Sequence, residues 1–384
     1  MDSFRLDSVA SVGEKLRAAR KGMGLSTREV AGRLAGTFQV SHATIANYEK
    51  GSSQPTLDVL GALAALYDRP MKWFVEYGPM LSGIRYRNLP SRVRQSEKHQ
   101  FEAESLRWLE AYLRIETFLN ASLSARRRPS SSWGTKPEVF AERVRRELGI
   151  APDAPVPSVI DALEAFGIRV VEVSTTLRID GFAALLGKEP VVILNSDRPE
   201  DRIRLNASHE LFHVLLGHCV AIASSKLEHK GDEDAAFACA RHFLLPKVQL
   251  REAFLGESFV KLVKFKERFG ISISAMIYAA RQEGILSEST ARFLWIEISK
   301  RGWREKEPGV VRPDRATRFE LLVDSAVCRG VATMHNLAQI GGVREAELSE
   351  RIRVAQGISG VRRDDRPWGQ EGDDPNFRGL RLAQ

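Results

Sequence analysis

Arg202-Ile203-Arg204-Leu205-Asn206-Ala207-Ser208-His209-Glu210-Leu211-Phe212-His213-Val214-Leu215-Leu216-Gly217 is the stretch on which the reading of this chain turns. It reads as one helix. Residues four apart on a helix share a face, so His209 and His213 can present imidazole nitrogens to a single metal ion. Glu210 sits about 100° further round, where its carboxylate reaches water at the metal and not the metal itself. Zinc lowers the pKa of such water to about 7, a carboxylate can take the proton, and the metal polarises a peptide carbonyl for attack. A chain of this length contains His-Glu-x-x-His by chance in roughly one case in a hundred. The bland alternative is an amphipathic helix with two incidental histidines. Leu211, Leu215 and Leu216, which give the helix a packing face, and the β-rich region before it weigh against that alternative.

Upstream, Ile168–Val173, Gly181–Leu186 and the β-branched run Val191–Leu194 read as strands. Helices are expected around Pro137–Leu148 and Ser158–Phe166. Downstream, Asp232–Leu245 reads as a helix closed by Pro246, and more helices follow to about residue 300. A small sheet with a mainly helical remainder is an α+β domain.

A catalytic zinc takes three protein ligands and keeps one position open. The third ligand should come from a nearby element, and the candidates are His218, His229, Asp232, Glu233, Asp234 and His242. His218 lies five residues past His213, about 140° away on a continuing helix, so it is a poor ligand unless the helix has ended. Glu233 opens the next helical segment and suits the geometry, which by itself leaves Asp232 and Asp234 open. His242 reads as a surface or supporting residue. Cys219 and Cys239 could each add a fourth, inhibitory ligand, but small buried hydrophobes are the better expectation.

The segment Glu233-Asp234-Ala235-Ala236-Phe237-Ala238-Cys239-Ala240-Arg241-His242-Phe243-Leu244-Leu245-Pro246 resembles the second motif of the ImmA/IrrE metallopeptidases. Ala236, Ala240, the apolar triplet and Pro246 match. Phe237 stands where Asn or Asp is usual, and Cys239 where Phe is usual. The resemblance, over about residues 135–300, implies zinc as cofactor, a zincin-like α+β fold, and Glu233 as third ligand beside His209 and His213, with Glu210 as the catalytic base. Asn195 matches a position where the family often has Asn, and it receives no role here.

The first 80 residues read as short helices. Val12–Arg20 has helical spacing, Ser26 or Thr27 caps a helix over Val30, Ala31 and Leu34, and a third helix starts near Ser41 and stops at Gly51. Thr56 and Leu57 open a fourth, with Leu57, Leu60, Leu63 and Ala64 on one face. Leu16–Arg20, Leu25–Ala31 and Ile45–Gly51 resemble the XRE family of helix-turn-helix domains, in which the second helix crosses the DNA backbone and the third enters the major groove. The resemblance assigns the DNA contacts to Ser26, Thr27 and Arg28, to His42, Ala43, Thr44 and Asn47, and to Lys50 nearer the phosphates. Arg17, Arg20, Lys21, Arg28 and Arg33 add candidate phosphate contacts. Ala35–Val40 makes a longer turn than usual.

The whole chain has 384 residues, 43% hydrophobic and 28% charged, with a net charge of +8. That suits two or three soluble domains and permits a polyanionic partner. Three cysteines make a disulfide framework unlike this chain. No apolar segment is long enough for a membrane helix, and the start lacks a signal core, so a cytoplasmic location without membrane attachment is expected. The expected organisation is a DNA-binding domain at 1–80, a helical connector and linker at 81–134, the metallopeptidase domain at 135–300, and a helical C-terminal region with a disordered tail at 301–384. Within the connector, Arg85–Arg94 reads as a solvated stretch, and Arg126–Ser132 as the main linker.

These readings combine into a multidomain regulator that binds double-stranded DNA, as a homodimer, and cleaves a protein substrate. The resemblance implies a transcriptional repressor as that substrate, in stress or mobile-element control. The alternative is a transcription factor or antitoxin-like protein whose peptidase-like domain is a non-catalytic sensor or interaction module. The intact Glu210 weighs against it, because a purely structural zinc needs no general base.

Overall fold

Ser11, Ser26, Ser41 and Thr56 each accept a hydrogen bond from the backbone N–H three residues on. Each therefore satisfies an otherwise orphaned donor and starts a helix. The helices are α1 (Val12–Gly22), α2 (Thr27–Leu34), α3 (His42–Lys50) and α4 (Leu57–Leu66). Glu14 and Glu29 return bonds to the cap backbones and complete capping boxes. Gly51, at φ +74°, stops α3 in the left-handed region that glycine adopts without strain. A short α5 (Met71–Val75) follows. Leu16, Val30, Leu34, Ile45, Leu60 and Leu63 meet in the core of this bundle. Leu57, grouped with Leu60 by spacing, lies in the first turn of α4 and stays exposed.

The computed structural model describes residues 11–76, 80–86, 93–123, 128, 136–219, 226–256 and 258–357, and of 226–229 only the backbone. The expected linker, apart from Arg128, and the expected disordered tail beyond 357 lie outside the described residues. Among the described residues there are seventeen helices and one four-stranded sheet.

The sheet runs in the order β1 (Leu81–Tyr86), β3 (Gly181–Leu186), β4 (Glu189–Asn195), β2 (Arg169–Val173). β1 is antiparallel to β3, β3 to β4, and β4 is parallel to β2. Three strands fall where the sequence places them. β1 is a correction, because its last two residues, Arg85 and Tyr86, open the stretch that reads as a solvated connector. An arginine count suggests solvent, but Arg85 is buried with its guanidinium engaged. Tyr86 packs on Phe182 with ring centroids 5.2 Å apart.

Alternate residues of β2, β3 and β4 serve opposite cores. Val171, Val173, Phe182, Ala184, Leu186, Val191 and Ile193 join α6 (Gln95–Phe118), the N-terminal bundle, and the C-terminal helices α15 (Arg318–Cys328), α16 (Met334–Gly341) and α17 (Glu345–Ala355). Val170, Ala183, Val192 and Leu194 join α7 (Pro137–Glu147), α8 (Val159–Ala165), α9 (Glu200–Leu215) and α10 (Lys226–Leu244). Burial on both faces explains why the strands read as continuous apolar runs and not as alternating ones. A third core lies among α11 (Lys247–Phe254), α12 (Phe259–Phe269), α13 (Ile273–Gln282) and α14 (Glu288–Lys300). α6 belongs to the first core along much of its length. Its buried Glu116 accepts from Arg169 of β2 and from Arg318 of α15, both by side-chain hydrogen bonds.

Candidate metal centre

α9 lies between the sheet and α10, so almost its whole length is buried. Polar groups in such a helix need partners. Asp201 pairs with Lys266 at 2.8 Å, and Arg204 donates to Asp314 at 2.6 Å and to the Val156 carbonyl at 2.7 Å. These are structural. His209, Glu210 and His213 follow on the same helix, nearly or fully buried.

His209, His213 and Glu233 of α10 bring one ligand atom each to within 4.8 Å of one another. The Nε2 atoms of the two histidines are 2.9 Å apart. Glu233 Oε2 is 3.2 Å from His209 Nε2, and its Oε1 is 3.1 Å from His213 Nε2. Ligands at about 2.0–2.1 Å from a tetrahedral zinc stand roughly 3.3 Å apart, so this triangle is close to the size such an ion needs. The donor set, two imidazoles and one carboxylate, is also the type that leaves an open position. Burial works to raise the Glu233 carboxyl, but its hydrogen bonds with His209 and His213 outweigh that and hold it well below the usual carboxylate range.

The other candidates are placed elsewhere. Asp234 is exposed. His242 is buried but pairs with Glu283 at 3.1 Å, beside Lys247. The side chain of His229 lies outside the described residues. Cys219 and Cys239 are buried in the second core and are not in the convergent cluster. Burial pushes both thiols up to about 12, with the charge of Glu210 adding to the effect at Cys219.

His218 is not a ligand of the triangle, yet it touches it. α9 ends at Leu215 and Gly217 takes φ +77°, which turns the chain back. The Nδ1 of His218 then lies 2.9 Å from Nδ1 of His213, the ring nitrogen turned away from the triangle. His218 Nε2 is 3.4 Å from Asp232 Oδ1, and Asp232 Oδ2 is 3.5 Å from Arg85 Nη2. Burial lowers His218 to about 4, which keeps it neutral near pH 7. The sequence reading missed Arg85 altogether. The one signal in reach was Gly83, a glycine two residues before an arginine in a short run with Leu81, Ile84 and Tyr86.

Phe237, in the place where Asn is usual, sets its ring edge-on to His209 with centroids 6.1 Å apart, and Arg241 lies over its face at 5.1 Å. Asn195 has a clear local task. Its amide donates to the carbonyls of Thr175 and Ile179 at 3.0 and 2.8 Å, and its oxygen accepts from Asp197 N at 3.0 Å. It pins the β2–β3 loop to the end of β4.

In the N-terminal bundle, Arg28, His42, Asn47 and Lys50 are exposed, and Thr27 and Thr44 are half-buried. Thr44 is 2.9 Å from Ser41 through their hydroxyls. Arg20 is corrected from a candidate phosphate contact to a structural residue. Its Nη2 donates to Glu49 Oε2 at 2.7 Å and its Nη1 to the Leu25 carbonyl at 2.7 Å, which joins α1 to α3. Gly13 stands where a Cβ would lie 2.5 Å from the Tyr48 carbonyl oxygen, so α1 and α3 pack backbone to backbone.

A helix-turn-helix family model matches residues 16–74, and an IrrE N-terminal-like domain model matches residues 163–281. The chain is thus a fusion of these two domains, a DNA-binding regulator carrying a peptidase-type domain. No curated protein matches the chain. Among the described residues, no helix is long and apolar enough to cross a membrane.

Proposed function

We propose that this fusion is a gene-control protease in which His209, His213 and Glu233 hold zinc, and the site hydrolyses a peptide bond in a partner protein, a transcriptional repressor. The observation that carries the reading is the convergence of those three ligand atoms within 4.8 Å beside a fully buried Glu210. A closed structural zinc site would need a fourth protein ligand, and among the described residues the convergent cluster contains three.

Bound in this triangle, zinc would supply Lewis-acid polarisation of the scissile carbonyl and would acidify a neighbouring water. The chain's own residues do the rest. Glu210 accepts a proton from the attacking water on a carboxylate oxygen and returns it to the leaving amide nitrogen, so that water and peptide become an acid and an amine. The apolar surroundings of α9 strengthen each of these charge interactions. Phe237 limits the freedom of the His209 ring. The faces of α2 and α3 that carry Thr27, Arg28, His42, Thr44, Asn47 and Lys50 would hold the enzyme at DNA. A homodimer would span two half-sites about 34 Å apart. This places the protease where DNA-bound repressors are concentrated.

The test compares cells carrying wild-type protein with cells carrying Glu210→Gln. Newly formed protein N-termini are mapped in each, and zinc content is measured on both purified proteins. The expected result is near-stoichiometric zinc in both, with a cleaved DNA-binding protein found only with the wild type. Identical N-termini in the two strains would remove the protease reading, and zinc-free protein with an intact fold would remove the metal as well.

A further inference from the structure

β1 lies outside both matched ranges, 16–74 and 163–281. It nevertheless reaches the metal centre at two points. The first is Gly83, at a break in the β1–β3 register between Ser82 and Arg85. Its φ is +60°, and a Cβ built there would lie 2.0 Å from the carbonyl oxygen of Cys219. The strand therefore presses backbone to backbone on the turn that follows α9, a contact open only to glycine. The second is Arg85, 7% exposed, whose Nε–H donates to the carbonyl of His218 at 2.8 Å while its Nη2 faces Asp232 at 3.5 Å.

With His213 Nε2 given to a metal ion, one arrangement of protons would remain. His213 carries its hydrogen on Nδ1 and donates it to His218 Nδ1, 2.9 Å away. His218 then carries its own hydrogen on Nε2, the nitrogen that lies 3.4 Å from Asp232 Oδ1. The Asp232 carboxylate is charge-balanced by Arg85. Each group in the series fixes the tautomer and ring direction of the next, which is the task that carboxylate and carbonyl partners perform for metal-bound histidines in general.

We propose that Arg85, Asp232 and His218 are positioning residues for His213, and that Arg85 makes β1 an integral part of the metal centre. The proposal rests on the zinc reading above and deepens it. The segment that leaves the helix-turn-helix bundle supplies the outer end of the series, so the IrrE-like segment does not build the site alone. Gly83 sets the depth at which β1 lies, and Arg85 holds the His218 backbone and the Asp232 side chain together.

The experiment measures zinc affinity of the full-length chain by competition with a chromogenic chelator, with circular dichroism as a check on folding. His218→Phe, Asp232→Ala and Arg85→Ala should each weaken zinc binding by about 10–100-fold, most for His218→Phe, which removes the group touching the ligand. Arg85→Lys should recover part of the loss, because a cation remains beside Asp232. The double variant Arg85→Ala/His218→Phe should bind no more weakly than His218→Phe alone, since both act through one series. Wild-type affinity in Arg85→Ala and Asp232→Ala, or fully additive losses in the double variant, would overturn the proposal. Should Arg85→Ala fail to fold, Asp232→Asn removes the charge at a half-buried position, and unchanged affinity there overturns it equally. Wild type and His213→Ala binding zinc alike would instead sink the metal reading itself, and this proposal with it.

Discussion

His209, Glu210 and His213 on α9 are 1%, 0% and 0% exposed, whereas His42, Asn47 and Lys50 on α3 face solvent. Both helices carry a motif visible in the sequence, but they work under opposite conditions. An ionisable group in the interior must have its partners in place, because desolvation is costly. The α9 site therefore depends on every neighbour. A solvent-exposed reading face instead adds many modest contacts, each screened by salt. The lesson is that substitutions of equal size should have very unequal consequences in the two regions.

The largest effect should come from removing the ion. Chelation or His213→Ala should abolish peptide cleavage while leaving affinity for an operator fragment within twofold. A parallel loss of DNA binding, measured by anisotropy, would break the contrast between the regions. Next, Glu210→Gln should lower the cleavage rate by about 10²–10⁴-fold, the range for a lost general base, with zinc content unchanged. A loss of zinc in that variant would place Glu210 among the ligands. On the exposed helix, Asn47→Ala should cost about 1–3 kcal/mol in operator affinity and relax specificity at one base pair. Arg28→Ala should weaken binding to all sequences alike and reduce the slope of log K against log salt by about one. Equal losses on specific and random DNA for both variants would remove Asn47 from the groove.

The smallest expected effect belongs to neither motif. Glu347 of α17 bonds Arg107 of α6 and Arg344. Burial opposes ionisation of its carboxyl, but the two arginines win and hold it at about 2. A carboxyl depressed in the folded state stabilises above its unfolded pKa of about 4.3 and loses that contribution as pH falls toward 2. Glu347→Gln should therefore flatten the stability profile between those values, as read from urea midpoints, with a modest loss that is complete near pH 7 and vanishes toward pH 2. An unchanged profile would show that this contact between α6 and α17 carries no net stability.

Much of this was legible in the residues. Capping serines, the His-Glu-x-x-His spacing and the β-branched runs act locally, through hydrogen bonds and periodicity within one element, and they gave the bundle, three strands and both ligand-bearing helices. Geometry favoured Glu233 among three adjacent acids but left Asp232 and Asp234 open, and the family resemblance selected it. The packing of α10 on α9 turns Glu233 to the histidines, turns Asp232 to His218, and leaves Asp234 exposed. β1 was hidden because its pairing with β3 joins residues about a hundred positions apart, and a buried arginine looks in sequence like a solvated one.

The sequence by itself determined that His209 and His213 could share one metal ion, because that depends on spacing along one helix, while Glu233 and the groove-entering helix needed the family resemblances. Only the tertiary structure decided that Gly83 and Arg85 lie against the turn after α9, that Arg20 holds α1 to α3, and that the C-terminal helices pack on α6. The physical reason is the same in each case. A charged side chain declares its chemistry in the sequence, but its role depends on whether a partner arrives from a distant element to offset its burial, and no local pattern records that meeting.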